Sequence, residues 1–510
     1  MNADHVLLTD SALIVFCVMS GGGGYIWMRK IGCTLAEAWA YSLLLLLMIQ
    51  SWLGQVLLMA GAPFLYVPFL FISALPWIKV LRYTPRVFAA QIRSVMIFLR
   101  VHPVATSGLM TIWGYTAVVC AWPMVRPDGS LFEALHPLWR HSGSVFTIGR
   151  TAPDLALPVL NHVVFAAPWQ PPLATALANL CAYLTIGFGS YALARRYAWP
   201  SMAVTVTLLI VSMTRLVHQS LTVNSELLPA AAALTVILAL YRAVERLHYA
   251  DVMMLASALA FSVSGGRLCY LMPAVLAALS LVVLGRRHSI RLLAAGAASR
   301  IRTALVSAAI VGVFSQAWIV SANLAAGRAW IGAAQSDQVI FNSDALSGTV
   351  ANLARYALLT IDLPEFIDRV CQWSLGFSLL GVLRTFYQWT VAATLDGRGA
   401  ATAFDLSWTA PYKLVWFGPA GFFLVMPSLF IAVMRGPRRL KSTALAMLVY
   451  WALIALIVAW RPGNAHLMTP FFVCSGFFMA FALPPWRLGR NGRLLLQILG
   501  IMIMAHAILA

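Results

Sequence analysis

An all-α polytopic membrane protein is the fold class that this sequence predicts, and three observations carry the prediction. Of its 510 residues, 61% are hydrophobic and 10% charged, and the mean hydropathy is +0.84. Apolar runs of about 20 residues recur along the chain, each long enough to cross a hydrocarbon core of roughly 30 Å. The cations gather in the short gaps between those runs, as they do where basic loops stay on the cytoplasmic side. On a soluble protein a net charge of +19 would suggest nucleic acid. Here it reads as a topology signal, and no nucleic-acid partner is expected.

Taken in order, the runs predict about fourteen spans, near 11–28, 37–59, 61–78, 104–122, 173–194, 200–217, 227–243, 250–264, 268–285, 303–322, 414–434, 442–460, 466–484 and 494–510. The N-terminus (MNADHVLLTD) lacks a basic leader, so the first run reads as a span and not a cleaved signal. Gly21–Gly24 lie inside that span; no Lys-Ser/Thr comes after them, so they suit close helix packing better than phosphate binding. Segment 79–101 is basic and amphipathic and should lie along the cytoplasmic surface. The stretch 123–172 is the first long polar interruption and the predicted outer catalytic loop. Segment 323–413 should form extracytoplasmic helices lying on the membrane, broken by Gly397-Arg-Gly399, with part of 370–395 alternatively re-entrant. The organisation is therefore 1–101, N-terminal spans with the amphipathic segment; 102–322, the transmembrane core with its outer loop; 323–413, the outer helical segment; and 414–510, the C-terminal spans.

If the spans alternate, the basic clusters fall on one side: Arg29 and Lys30, Lys79 to Arg100, Arg195 and Arg196, Arg242 and Arg246, Arg286 to Arg302, Arg435 to Lys441, and Arg487 to Arg493. That side is cytoplasmic, which places 123–172, the connection at Glu226, 323–413 and the turn at Arg461 outside. The bacterial inner membrane is the expected location.

Carboxylates are scarce, with 16 Asp and Glu in the chain, and an acid beside a bilayer is costly unless it coordinates, pairs or deprotonates something. Asp128 and Glu133 form a D-x4-E pair in the first outer loop, with Asp154 further on. Such carboxylates take a proton from an attacking hydroxyl or hold a divalent cation, Mg or Mn, against a phosphate, Asp128 being the candidate metal ligand; the alternative is a solvated loop with incidental acids. Arg150, Arg267, Lys413, Arg461 and His466 are cations on the outer side, against the charge bias. They would clamp a phosphate or, alternatively, snorkel to lipid or pair with Asp154, Asp405 or Glu226. Glu226 could equally favour the helix N-terminus that it begins. His136, His141 and His162 have no common zinc spacing, and the seven cysteines form no CxxC pair.

The wording around Asp128 adds a family. Pro127-Asp-Gly-Ser-Leu-Phe-Glu-Ala-Leu-His-Pro-Leu-Trp-Arg-His-Ser-Gly-Ser-Val145 resembles the first outer loop of bacterial GT-C glycosyltransferases, the membrane class of protein O-mannosyltransferases and the lipid A aminoarabinose transferase. Asp128, Trp139 and Gly143-Ser-Val145 match its pattern, and Gly149-Arg150 and Pro158 are similar to the family's next Arg and Pro. Glu133 stands near the position of the family's His, and the stretch is one residue shorter, so Glu133 is either a second acid or a neighbour. Thr222-Val-Asn-Ser-Glu226, Ser264-Gly-Gly-Arg267, Leu414-Val-Trp-Phe-Gly-Pro419 and Trp460-Arg-Pro462 with His466 and Pro470 resemble later family segments in the same order. The resemblance implies transfer of a sugar from a polyprenyl-phosphate donor to an extracytoplasmic lipid, glycan or protein acceptor, in cell-envelope glycan biosynthesis. Asp128 and Glu133 would be catalytic, Arg150, Arg267, Arg461 and His466 would hold the donor phosphate, and Asp154, Glu226 and Lys413 would support them. A polysaccharide ligase is the near alternative, and a secondary transporter or flippase the alternative from another class.

Overall fold

The computed structural model describes residues 3–59, 83–121, 171–221, 226–246, 248–263, 270–294, 344–359, 365–395, 397–401, 420–483 and 485–509, with isolated residues between. Its helices are α1 (Ala3–Lys30), α2 (Leu35–Met59), α3 (Thr84–Val101), α4 (Pro103–Ala121), α5 (Pro171–Ala194), α6 (Pro200–Val211), α7 (Thr214–Leu221), α8 (Leu227–Arg246), α9 (Tyr249–Ser262) and α10 (Leu271–Ala294). They continue as α11 (Ala345–Leu359), α12 (Glu365–Leu375), α13 (Leu379–Tyr387), α14 (Met426–Arg435), α15 (Arg438–Ile457), α16 (Thr469–Ser475), α17 (Met479–Ala482) and α18 (Pro485–Leu509). The protein is an α-helical membrane protein. Among the described residues five helices are long and apolar enough to span a bilayer, or six if the bent pair α6–α7 counts as one. Predicted spans 61–78 and 303–322 lie almost wholly outside the described residues.

Apolar all round, α8 has no face to give to water, and the structure surrounds it. Every residue from Leu227 to Val244 is buried, packed by α2, α5, α9, α10 and α16. Ala230–Ala233 keep its surface narrow where neighbours approach, the usual role of small residues between membrane helices. The outer helices α15 and α18 carry the reverse pattern. Leu445, Val449 and Leu456 on α15, and Leu494, Leu495, Ile498 and Met502 on α18, are exposed. Apolar side chains without protein cover at these positions are what hydrocarbon would solvate.

Two elements depart from the sequence reading. The run 200–217 is not one straight helix: it breaks at Ser212–Met213 into α6 and α7, which meet at 63°. The run 466–484 is irregular, passing through 3-10 turns at Pro462–Met468 and Gly476–Phe478 around α16. The amphipathic segment is helical from Thr84 to Val101, with Arg86, Arg93 and Arg100 at seven-residue intervals along one stripe.

Within 323–413 the expected helices are present as α11, α12 and α13, the last continuing through a π turn to Leu395. Asp368 on α12 accepts from Ser378 Oγ at 3.0 Å and Leu380 N at 3.1 Å, closing the α12–α13 turn. Buried Arg355 of α11 ties this unit together by donating to Tyr387 Oη (3.1 Å), Asn352 Oδ1 (3.0 Å) and Arg398 O (2.7 Å). The unit docks on the end of α15, where Asn352 donates to Ala455 O and Val458 O, and Ala400 pairs with Trp460. The glycine break works as a true reversal. Gly399 has φ +65°, and a Cβ there would lie 2.8 Å from the backbone of Gly348.

Candidate functional site

Helix direction gives the bundle two chemically distinct ends. The loops after α1, α5 and α8, the α14–α15 junction and the start of α18 converge at one end, and they carry the basic clusters. Contacts across them prove the convergence: Arg196 bridges Glu37 and Glu245, Arg439 reaches Glu245, Arg246 donates to Gly32 O, and Arg493 donates to Ser201 Oγ. These clusters share one end, as the alternation of spans requires.

At the heart of the basic end sits an ion network that sequence reading passed over. Thr34-Leu-Ala-Glu37 is a capping box: Thr34 N donates to Glu37 Oε2 at 2.8 Å, and Glu37 N to Thr34 Oγ1 at 3.4 Å. The same carboxylate accepts from Arg242 at 2.5 Å and Arg196 at 2.9 Å, and Arg242 continues to Asp251 at 2.8 Å. Burial works against the charge on Arg196, but Glu245 and Glu37 hold its pKa above the ordinary arginine value. Beside it, burial pushes the Cys33 thiol up to about 11. Arg242 was expected, with Arg246, to be a topology cation at the cytoplasmic end of its span. It is instead a buried ion-pair partner, 1% exposed, and the capping-box spelling was the available signal.

The far end holds the part of the sequence-nominated site that the structure describes. Glu226, just before α8, lies 3.7 Å from His466 Nε2. Gln219 on α7 donates to Glu226 at 3.4 Å and to Thr469 Oγ1 at 3.1 Å. Arg461 is half-buried at the start of the 3-10 turn that carries His466, and Asn464 in that turn donates to Ala459 O. Pro470 is buried in α16 directly behind. Trp460, one residue earlier, is buried against Tyr356 and Phe404, centroids 5.2 and 5.1 Å away.

Sequence reading missed Arg215 and Gln219 at this end. Arg215 is buried on α7, just past the helix break, and faces the field of Glu226. A cation inside an apolar run was the signal that could have found it, since a charge within a span is a functional candidate by default. Among the described residues, Ser212 Oγ, Thr214 Oγ1 and Ser475 Oγ are buried without hydrogen-bond partners.

Asp128, Glu133, Arg150, Asp154, Arg267, Lys413 and the loop histidines lie outside the described residues, as do most of the segments around 264–267 and 414–419. No group of three metal-ligating side chains occurs among the described residues, and Asp128, the candidate ligand, is not one of them. Compared with protein-family models, curated proteins and solved structures, the chain matches none.

Proposed function

We propose that this chain is a GT-C-type glycosyltransferase of the bacterial cytoplasmic membrane, moving a sugar from a polyprenyl-phosphate donor to an extracytoplasmic acceptor. One observation carries the reading beyond the sequence resemblance. Glu226 and His466, nominated separately from distant motifs, meet at 3.7 Å at the end of the bundle away from the basic clusters, with Arg461 in the same turn and Arg215 buried nearby. A carboxylate, an imidazole and guanidinium groups at one membrane face are the charges that phosphate release requires.

In the proposed reaction Asp128 takes the proton of the acceptor hydroxyl as its oxygen bonds to the anomeric carbon. The carbon–oxygen bond to the donor phosphate breaks, with inversion, and the electron pair leaves on polyprenyl phosphate. Arg461, with Arg150 and Arg267 of the resembling motifs, stabilises that phosphate, and Glu133 assists. A divalent cation would screen the same phosphate if Asp128 holds one, and no step of the reaction depends on it.

The test is release of polyprenyl phosphate by purified protein supplied with a polyprenyl-phosphate sugar and with cell-envelope extract as the source of acceptor hydroxyls. Asp128→Asn should lower turnover by about 10²–10⁴-fold, the range for loss of a general base. Turnover at the wild-type rate in that variant overturns the assignment.

One observation favours a second reading, a secondary transporter or flippase. The α6–α7 break, with Arg215 and unpartnered hydroxyls beside it, resembles the discontinuous helices that carry transporter binding sites. A carrier would move substrate across sealed vesicles without releasing polyprenyl phosphate and would keep doing so after Asp128→Asn.

A further inference from the structure

The basic end contains a cavity that the proposed transfer does not use. It holds about 1070 Å³, just above the roughly 300–1,000 Å³ usual for small-molecule sites. Its wall is an aromatic string: Trp39 stacks towards Phe188 at 6.1 Å, and Phe188 meets Trp113 at 5.2 Å. Leu43, Leu109 and Met110 extend the apolar lining. Gly187 makes the wall possible, because a Cβ there would lie 2.6 Å from the Trp113 ring.

The charges around it do not balance. Among the described residues four guanidinium groups line the cavity, those of Arg195, Arg196, Arg242 and Arg246, against two carboxylates, Glu37 and Glu245. Both carboxylates are already engaged by Arg196 and Arg242. Arg195 and Arg246 are left over. Each is exposed and steadied by a backbone carbonyl, Arg195 on Ala198 O and Arg246 on Gly32 O, both at 2.7 Å, and neither has a carboxylate partner among the described residues.

Helix α3 forms one side and shows where an occupant would come from. Gln91, Ser94, Val95 and Phe98, spaced i, i+3, i+4, i+7, face the cavity. Away from the cavity Ile92, Met96 and Ile97 are about half exposed, at 49, 48 and 54%. An amphipathic helix with apolar side chains exposed beside an arginine stripe lies at a membrane surface, so the cavity opens beside lipid.

We propose that this cavity binds one phosphate-headed membrane lipid, with its anionic head on Arg195 and Arg246 and its chains along Trp39, Phe188 and Trp113. An apolar wall leading to unpaired cations at the bilayer edge matches the two halves of such a molecule, and a soluble phosphate would use only one of them.

Native mass spectrometry of the full chain in neutral detergent tests this, with matched-chain phosphatidic acid and phosphatidylcholine as probes. The wild type should retain one phosphatidic acid in preference to phosphatidylcholine. Arg195→Gln/Arg246→Gln should lose that preference by about tenfold or more, as expected for removed charge-assisted hydrogen bonds. Ser94→Trp, at a partly exposed position on the cavity side of α3, should weaken retention of both lipids without disturbing the core. Arg438→Gln, exposed and outside the cavity, should behave as wild type. Equal retention of the two lipids by the wild type overturns the proposal, as does full retention of preference in the double arginine variant. Displacement of the lipid by equimolar inorganic phosphate would assign the arginines to a free anion and overturn the lipid assignment.

Discussion

Glu37 concentrates more structural work than any other described carboxylate, because it closes the α2 capping box and receives two arginines. Replacing it with Gln keeps the shape but removes one of the two carboxylates on buried Arg242, leaving Asp251 as its ion-pair partner, which should destabilise the protein by about 1–3 kcal/mol, below the roughly 3–5 kcal/mol for a buried charge left with no counter-charge. Adding Arg242→Met should deepen that loss, since Asp251 is then buried without its cation. Thermal unfolding in detergent measures both, and an undisturbed Glu37→Gln single variant would show that the network is not strengthening the bundle. At the far end, Arg461→Ala should weaken donor binding in a folded protein, with Lys restoring it only in part, because one ammonium cannot reproduce a planar two-pronged donor. Unchanged donor affinity would make Arg461 a structural residue. Arg215 belongs beside it, and its oversight has a plain reason: a single cation inside MTRLVHQSL does not stop a hydropathy window from reading a span.

Elements were legible where composition alone decides them. The lengths of α2, α5, α8 and α15 come from uninterrupted apolar runs, and the place of α3 comes from its arginine stripe. The α6–α7 bend was not legible, because Ser212 and Met213 are ordinary span residues and the break is imposed by packing. The Gly397–Gly399 reversal was legible as a break, but not as a docking point on α15. Gly399→Ala should cost about 1–3 kcal/mol, since it forces a side chain into a left-handed backbone against Gly348. Protease susceptibility of the α11–α13 unit would register that loss, and wild-type resistance would mean that the turn tolerates a side chain. That unit leaves Trp373 89% and Trp389 80% exposed, with Phe386 between them. Aromatic side chains so placed fit helices that lie on the membrane, the expectation for 323–413. Replacing both tryptophans with Ser should shift the unit towards water, read as faster hydrogen exchange in α12 and α13 in lipid nanodiscs, and unchanged exchange would argue against membrane contact there.

For the whole molecule, the strongest sequence inference was that the basic clusters share a side, and the Arg196–Glu245–Arg439 and Arg246–Gly32 contacts bring their loops to one end. Which membrane face that end meets is a matter for labelling. A cysteine at Thr385 should react with an impermeant maleimide added outside intact cells, and one at Arg438 should react only after permeabilisation; the reverse pattern would invert the proposed topology. Native Cys33 should stay silent, being buried with its thiol held at about 11. The candidate chemistry was legible only as far as charge scarcity and resemblance reach. Spacing along a chain cannot show that Glu226 and His466 would be neighbours, because that contact depends on how α8 and the 462–468 turn stack.

The Glu37 network also sets a schedule for synthesis. Its acid is made early, and its buried partner Arg242 is added 205 residues later. At about 5–20 residues per second, roughly 10–40 s pass before that guanidinium leaves the ribosome. Until Arg196 is added, 159 residues after Glu37, α1 and α2 must hold a carboxylate at the membrane with neither arginine in place. The first turn of α2 is where this can be tolerated, since Thr34 already shields the acid and water is within reach. The ion cluster therefore acts as a late latch on the nascent chain: α2, α5, α8 and α9 can be engaged together only after the chain has passed Asp251.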